Sequence, residues 1–246
     1  MQAHARRWLI ALATAAWLVG GSAIASGLQV SPTLLSLQAR QAADGLWLSN
    51  TGDSPLHAQV RVYRWTQEGG EEQLVPSRDL VISPPMLALD AGRKQLVRVI
   101  RVSAPPQGAS ETAYRVILDE LPTHDAKARG LQFVLRYSVP VFVEPAAAKP
   151  GPAQLQWSLE QVDGKAVLSI RNTGGMHAQI VELGYTDTNK RHTSLGDGLF
   201  GYVLPGASMH WTLKAPAAAF AHGGTFEAMI NGEKATQNLS LANRPR

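Results

Sequence analysis

The sequence Asn50-Thr-Gly-Asp-Ser-Pro-Leu-His-Ala-Gln-Val60 returns later in the chain, two residues shorter, as Asn172-Thr-Gly-Gly-Met-His-Ala-Gln-Ile180. In both copies an apolar alternating segment leads into Asn-Thr-Gly, a tight turn follows, and a new segment begins at His-Ala-Gln. The repeat predicts two β domains of related architecture. It does not predict a shared binding site, because two such domains both need a glycine-bearing turn here and the His-Ala-Gln match can arise by chance. We therefore interpret His57 and His177 as structural residues rather than metal ligands.

Short alternating segments separated by Gly, Pro, Asn and Asp fill the rest of the chain, and no stretch keeps a helical apolar period over several turns. The pattern predicts an all-β protein. Seven strands are predicted first, at residues 28–37, 43–50, 57–65, 81–89, 94–102, 113–120 and 131–143. Seven strands in about 120 residues match one immunoglobulin-like sandwich. A second, smaller sandwich is predicted from strands at residues 154–161, 165–172, 177–187, 201–204, 208–213 and 225–230.

A proline-rich segment separates the two predicted sandwiches. Pro145-Ala-Ala-Ala-Lys-Pro-Gly-Pro152 cannot supply a regular hydrogen-bond ladder, because proline lacks the backbone donor. We interpret residues 146–152 as a linker between an N-terminal domain of residues 26–145 and a C-terminal domain of residues 153–246.

Residues 1–25 have the features of an export signal peptide. Arg6-Arg7 gives a positive start, residues 8–19 are apolar, and Ala23-Ile-Ala25 is a small-residue cleavage site. A retained membrane anchor would need about 20 continuous apolar residues, and Gly20-Gly-Ser22 ends the run early. We expect cleavage before Ser26, no membrane segment afterwards, and a location in a bacterial periplasm.

The composition excludes several kinds of site. The chain of 246 residues has no cysteine, which rules out disulfides, thiol catalysis and cysteine-ligated metals. Without the signal, 21 basic residues (23 minus Arg6 and Arg7) stand against 19 acidic ones, which is too even to favour nucleic acid. Gly196-Asp-Gly-Leu-Phe-Gly201 fits a dinucleotide-binding pattern, but polar residues precede it and strand-like residues follow, so we predict a loop. With no histidines at metal-ligand spacing and no recognisable catalytic frame, we expect neither a cofactor nor an enzyme.

Several short motifs of the first predicted domain resemble a known family when they are read in order. They are Val30-Ser-Pro-Thr33, Trp65, Pro84-Pro85, Leu89-Asp-Ala-Gly92 with Val97-Arg-Val99, Tyr114-Arg-Val-Ile-Leu-Asp-Glu-Leu-Pro122 and Tyr137-Ser-Val-Pro-Val-Phe-Val143. Together they look like a periplasmic pilus-assembly chaperone of the PapD-like family, in its archaic branch. The resemblance implies an L-shaped molecule of two immunoglobulin-like domains that takes a newly exported pilus subunit and carries it to an outer-membrane usher.

The resemblance also implies a role for the strand predicted at residues 131–143. A pilus subunit is a sandwich without its last strand, and a family member lends it one. The odd positions of this segment are all apolar, which suits a lent strand. In the family, the donor residues lie at fixed spacings before the cleft lysine of the same strand. The resemblance therefore places the donor side chains at Leu131, Phe133 and Leu135, and Tyr137 continues that face. The alternative is that this face packs into the protein's own core, as in any half-buried strand.

The family anchors the subunit's C-terminal carboxylate with an arginine on the first strand and a lysine on the last strand of the first domain. The matching positions here are Leu34 and Pro140, neither of which binds a carboxylate. The anchor is therefore absent or lies elsewhere, and an arginine would hold a carboxylate best. The candidates are Arg115, which is the first choice, Arg98 and Arg136, although an arginine on a strand usually faces solvent or pairs with a neighbouring acid.

An ionic network across the junction orients the two domains in the family, and this sequence matches it only in part. Arg98 and Glu120 fit two of its positions, but Glu144 stands where an arginine is expected. We expect Glu120 and Glu144 to repel each other, which leaves the interdomain angle open. The alternative is that Glu120 has a local role and caps the strand end before Pro122.

A second function fits the same sequence. An exported two-domain immunoglobulin-like module can act as an adhesive or ligand-binding protein through its loops. Only a strand-lending chaperone needs Leu131, Phe133 and Leu135 for binding. An exposed apolar edge of that kind also gives the free chaperone a reason to self-associate.

Overall fold

The computed structural model describes residues 27–122, 133–146 and 149–243. The expected signal peptide, Leu131 and residues 147–148 of the expected linker lie outside these ranges. Within them strands dominate, and the helical content is a short 3-10 helix at Ala217–Phe220. None of the helical structure in these ranges is long and apolar enough to cross a membrane.

The first domain is a sandwich of two sheets. Its strands are β1 (Leu28–Ser31), β2 (Leu35–Leu37), β3 (Ala43–Asn50), β4 (Leu56–Glu68), β5 (Glu71–Pro76), β6 (Leu80–Ser83), β7 (Met86–Leu89), β8 (Lys94–Arg101), β9 (Thr112–Leu121) and β10 (Arg136–Val143). One sheet has the order β1-β3-β8-β6, and the other has β2-β10-β9-β4-β5 with β7 also paired to β4. Alternate residues of these strands point between the sheets, so Leu46, Val97 and Val116 are fully buried.

The second domain is a sandwich of two four-stranded sheets. Its strands are β11 (Leu155–Val162), β12 (Lys165–Asn172), β13 (Ala178–Asp187), β14 (His192–Val203), β15 (Ser208–Pro216), β16 (Gly224–Ile230), β17 (Glu233–Leu239) and β18 (Ala242–Asn243). The sheets have the orders β15-β12-β11-β18 and β14-β13-β16-β17, and Ile180, Phe220 and Phe226 fill the core between them. The expected fold class, two immunoglobulin-like β-sandwich domains, is confirmed.

Two segments predicted as single strands cross from one sheet to the other. Residues 28–37 divide into β1, which is antiparallel to β3, and β2, which is parallel to β10. Residues 81–89 divide into β6, paired with β8, and β7, paired with β4. Each crossing lies at proline, Pro32 or Pro84-Pro85, which lacks the N–H that would continue the ladder. The expectation of continuous strands is wrong at these prolines.

Edge strands are the elements that sequence patterning misses. All six residues of β5 are exposed, and most residues of β17 are exposed too, so neither shows the alternation of a half-buried strand. The predicted loop at residues 196–201 is wrong for a related reason, because it lies inside β14, which is the edge strand of its sheet. There the pairing with β13 shifts register, and Gly198 takes a φ of +67° that glycine adopts without strain.

Candidate functional site

β10 has an open edge along its first half. On one side it pairs with β9 over its whole length. On the other side it pairs with β2 only at Val141–Val143. Among the described residues, no strand lies beside residues 136–140 on that side. This part of β10 is therefore an unpaired strand edge, the kind of surface that accepts a strand from another chain.

The alternation of the ladder assigns the backbone groups of this open edge. The carbonyl of Leu135 accepts the N–H of Glu120 at 2.9 Å, so Leu135 faces β9. Because successive residues of a strand face opposite sides, Arg136, Ser138 and Pro140 direct their backbone groups to the open side. Pro140 has no N–H. Because the parallel pairing of Val141 with Leu35 uses the carbonyl of Pro140, the edge offers the N–H and carbonyl groups of Arg136 and Ser138.

The apolar face of the segment is divided between the protein's own core and solvent. Three valines of β10 are at most 3% exposed and belong to the core: Val139, Val141 and Val143. Leu135 and Tyr137 are half-buried against that core. Phe133 is 68% exposed and Val134 is exposed as well. The sequence left open the alternative that this face packs into the protein's own core. The second half of β10 does so, but Phe133 does not.

Glu120 and Glu144 lie at opposite ends of β10. The Oε2 of Glu120 accepts the N–H of Leu135 at 3.1 Å, just before β10 begins. Glu144 follows the last residue of β10 and donates its N–H to the carbonyl of Leu37 at 2.9 Å. Leu135 and Glu144 are nine positions apart (144 minus 135), which is about 30 Å of extended chain. The expected repulsion between the two glutamates is therefore wrong.

A cluster of buried side chains, here called the junction cluster, joins the two domains. It consists of Trp65, Ala113 and Phe142 from the first domain and Tyr202 and Leu204 from the second. The rings of Trp65 and Tyr202 meet edge to face, with their centroids 5.4 Å apart. The two domains therefore share a small apolar core in addition to their own.

Gln67 crosses the junction with its side-chain amide. Its Nε2 donates to the carbonyl of Tyr202 at 2.9 Å, and its Oε1 accepts the N–H of Leu204 at 2.8 Å. Gln67 is only 8% exposed, so its amide groups are satisfied by the second domain rather than by water.

Glu111 and His177 form a second polar contact across the junction. The Oε1 of Glu111 lies 2.6 Å from the backbone nitrogen of His177 and 2.7 Å from its Nδ1. The imidazole also stacks on Phe142, with the ring centroids 3.6 Å apart. His177 is thus in a structural contact, and among the described residues no three His, Asp or Glu side chains could hold a metal ion. Sequence reasoning missed Gln67 and Glu111, because their partners lie 135 and 66 positions away.

Leu34 and Pro140, at the positions of the family's basic pair, both lie beside the junction. Leu34 packs against the junction cluster. Pro140 is buried and pairs with Arg115 of β9 in the sheet register. An arginine therefore stands one strand away from the position that the resemblance gives to the lysine.

Arg115 is a buried cation, 8% exposed, at the edge of the junction cluster. Its guanidinium lies 3.7 Å from the ring centre of Trp65 and 5.2 Å from that of Tyr202. Its Nη2 is 3.4 Å from the Oε1 of Glu72. Burial lowers the pKa of Arg115, and the carboxylate of Glu72 acts in the opposite direction. The site can attract a carboxylate that reaches it.

The other two candidate arginines lie away from the junction. Arg136 is at the far end of β10, where it and Arg61 both bind the carboxylate of Asp119. Burial raises the pKa of Asp119, but the hydrogen bonds from Arg61 and Arg136 outweigh it and hold the pKa below its ordinary value. Arg98 lies on β8, which belongs to the other sheet of the sandwich. Of the three candidates, the structure brings Arg115 to the junction and leaves Arg98 and Arg136 apart from it.

The fold is similar to solved assembly chaperones. One chain of the CsuC–CsuE chaperone–tip adhesion subunit pre-assembly complex, from the archaic Csu pili of Acinetobacter baumannii, matches with a TM-score of 0.68 and 25% identity, over 87% of this chain and 99% of that chain. A chain of the Salmonella enterica SafA pilin–SafB chaperone complex matches with a TM-score of 0.62 and 16% identity, over 88% of this chain and 97% of that chain. Both matches cover most of the two-domain fold.

Sequence comparison also relates the first domain to assembly chaperones. The chaperone protein PapD of Escherichia coli is 28% identical over 126 residues, which are 49% of this chain and 51% of PapD. The match thus spans about half the length of that relative. Residues 27–149, which are 123 of 246 positions (149 minus 27, plus one), match the model of the pili and flagellar-assembly chaperones, PapD N-terminal domain. Because this match covers half of the chain and the entire sandwich that contains β10, the chain belongs to the family of pili and flagellar-assembly chaperones.

Proposed function

We propose that this protein is a periplasmic chaperone that binds, folds and caps pilus subunits by lending them a β-strand, and that it delivers them to an outer-membrane usher. Its family supports the role, and its solved relatives are described in complexes with a tip adhesion subunit and a pilin. Export by residues 1–25 is part of the proposal. The exposed Phe133 and Val134 also give the free protein a reason to self-associate.

The open edge of β10 beside the exposed Phe133 carries this proposal. A subunit without its last strand exposes both a strand edge and a groove over its core. The N–H groups of Arg136 and Ser138 can donate hydrogen bonds to the strand edge of the subunit. The side chains of Leu131, Phe133 and Leu135 can fill its groove. Full burial of an exposed apolar side chain contributes about 1.5–3 kcal/mol. Because Leu135 is already half-buried against the protein's own core, the three side chains together contribute less than the roughly 5–9 kcal/mol that full insertion of exposed side chains would give before ordering costs. Subunit release then needs no nucleotide, because better packing in the next pilus contact can drive it.

Co-expression with a small exported pilus subunit tests the lent strand. The wild-type protein should form a soluble one-to-one complex. Leu131→Ser combined with Phe133→Ser should abolish the complex, because both apolar contacts with the groove are lost. The matched control is Leu199→Ser, which changes a 57% exposed leucine of the second domain. A complex that survives the double change would instead favour the adhesive module, which does not need these side chains.

We also propose that Arg115 anchors the C-terminal carboxylate of the subunit. Its position opposite Pro140 and its burial against Trp65 support this role. Arg136 is already engaged with Asp119, and Arg98 lies in the other sheet, so both are weaker candidates. A planar guanidinium suits the task because it can bind both oxygens of a carboxylate.

A further inference from the structure

Arg115 has unused hydrogen-bonding capacity. A guanidinium carries five N–H donors, and among the described residues Arg115 makes one hydrogen bond, from Nη2 to the Oε1 of Glu72 at 3.4 Å. Charge-assisted bonds of this kind are usually about 2.7–2.9 Å long. The pair is therefore a loose, single contact at a side chain that burial has removed from water.

A second donor beside Arg115 is unsatisfied. The indole Nε1 of Trp65, whose ring lies under the guanidinium, is buried and has no acceptor among the described residues. Buried donors are rarely left without a partner. The junction thus holds a cation and a neutral donor close together, and both are short of acceptors.

Glu72 is free to leave this site. It lies on β5, the edge strand of its sheet, where every residue is exposed. Its side chain is 43% exposed, whereas that of Arg115 is 10% exposed. The register opposite Gln67 places Glu72 on the same face of the sheet as the junction contacts. Rotation of this one surface side chain would expose the guanidinium without moving the strands.

We propose that Glu72 is an internal stand-in for the subunit's carboxylate, bound to Arg115 in the free chaperone and displaced when the subunit arrives. The inference rests on the proposed anchoring role of Arg115. The stand-in keeps the buried cation paired while the site is empty, and its loose geometry lets a carboxylate with better geometry replace it. Because Glu72 competes for the same donor, the apparent dissociation constant for a carboxylate equals the intrinsic one divided by the fraction of time that Arg115 is free.

Titration of the mature protein with sodium acetate tests the proposal, with the Nε–Hε signal of Arg115 followed by NMR and sodium chloride as the ionic-strength control. Arg115→Lys assigns the signal by removing it. Glu72→Gln should tighten acetate binding about 3- to 10-fold, because the competitor is gone. Glu72→Asp should tighten it as well, because the shortened side chain keeps its charge but falls short of Arg115. The matched control is Glu71→Gln, on the same exposed strand, which should leave the affinity unchanged.

Two outcomes separate the ideas. If acetate moves the Arg115 signal equally in wild-type and Glu72→Gln proteins, Arg115 binds carboxylates but Glu72 is not a stand-in. If acetate moves the signal in neither protein while thermal unfolding shows that both are folded, the anchoring role of Arg115 fails and the stand-in fails with it.

Discussion

The asparagine of each repeated turn satisfies the backbone around it. The side-chain nitrogen of Asn172 donates to the carbonyls of Met176 at 2.7 Å and Val203 at 3.1 Å, and its oxygen accepts the N–H of Gly174 at 2.9 Å. Asn50 makes the corresponding bonds in the first domain, with Ser54, Leu89 and Gly52. Both asparagines are buried, so water cannot take over these bonds.

Asn172→Ala should therefore destabilise the second domain by about 2–4 kcal/mol, because it leaves several buried backbone groups without a partner. Urea unfolding followed by circular dichroism measures the loss. Asn189→Ala, in an exposed turn, is the control and should change stability by less than about 0.5 kcal/mol. A similarly small effect of Asn172→Ala would mean that neighbouring groups or water replace the side chain.

The sequence predicts these turns but not what the asparagines bind. Asn-Thr-Gly is turn chemistry that can be recognised from adjacent residues. The strand partners of the side chains, Val203 and Leu89, lie 31 and 39 positions away. Which strand comes alongside depends on the whole sandwich, and local patterning does not contain it.

At the scale of the element, the neighbouring strand determines where β10 begins. The register that pairs Arg136 with Asp119 would place Phe133 opposite Pro122. Proline has no N–H, so the ladder cannot continue there. Apolar alternation predicts a strand from Leu131 because it reflects side chains only, whereas a strand also needs backbone partners. The sequence thus indicates the apolar face of the segment but not the residue at which its backbone pairing with β9 begins.

Pro140→Val should increase self-association of the free protein. The substitution adds an N–H donor at the buried end of the open edge, next to the exposed donors of Arg136 and Ser138, and so lengthens the stretch that can pair with another strand. Light scattering coupled to size-exclusion chromatography over a concentration series measures the oligomer fraction. Pro145→Val, beyond the end of β10, is the control and should behave like the wild type. An unchanged monomer would show that the missing donor at Pro140 is not what limits pairing.

At the scale of the whole molecule, contacts from several strands hold the domains together. Three of these contacts are the junction cluster, the two hydrogen bonds of Gln67, and the contact of Glu111 with His177. The tip of the β4–β5 hairpin adds another contact, because Gly70 forms a parallel bridge to Met209 of β15. The sequence predicts two sandwiches and a segment between them. It does not predict this junction, because each contact joins residues that are remote in the chain.

Gly70→Ala should loosen the junction, whereas Gly69→Ala should not. Both glycines have positive φ, +64° at Gly69 and +86° at Gly70, so both substitutions cost about 1–2 kcal/mol of backbone strain. Only at Gly70 would the added methyl overlap the ring of His210. That ring is held in place by a hydrogen bond between its Nδ1 and the hydroxyl of Ser169, 2.7 Å apart. Small-angle X-ray scattering should show a larger radius of gyration for Gly70→Ala and the wild-type value for Gly69→Ala. Equal values for both variants would mean that the hairpin tip does not position the second domain, and that the junction cluster and the two buried polar contacts are enough.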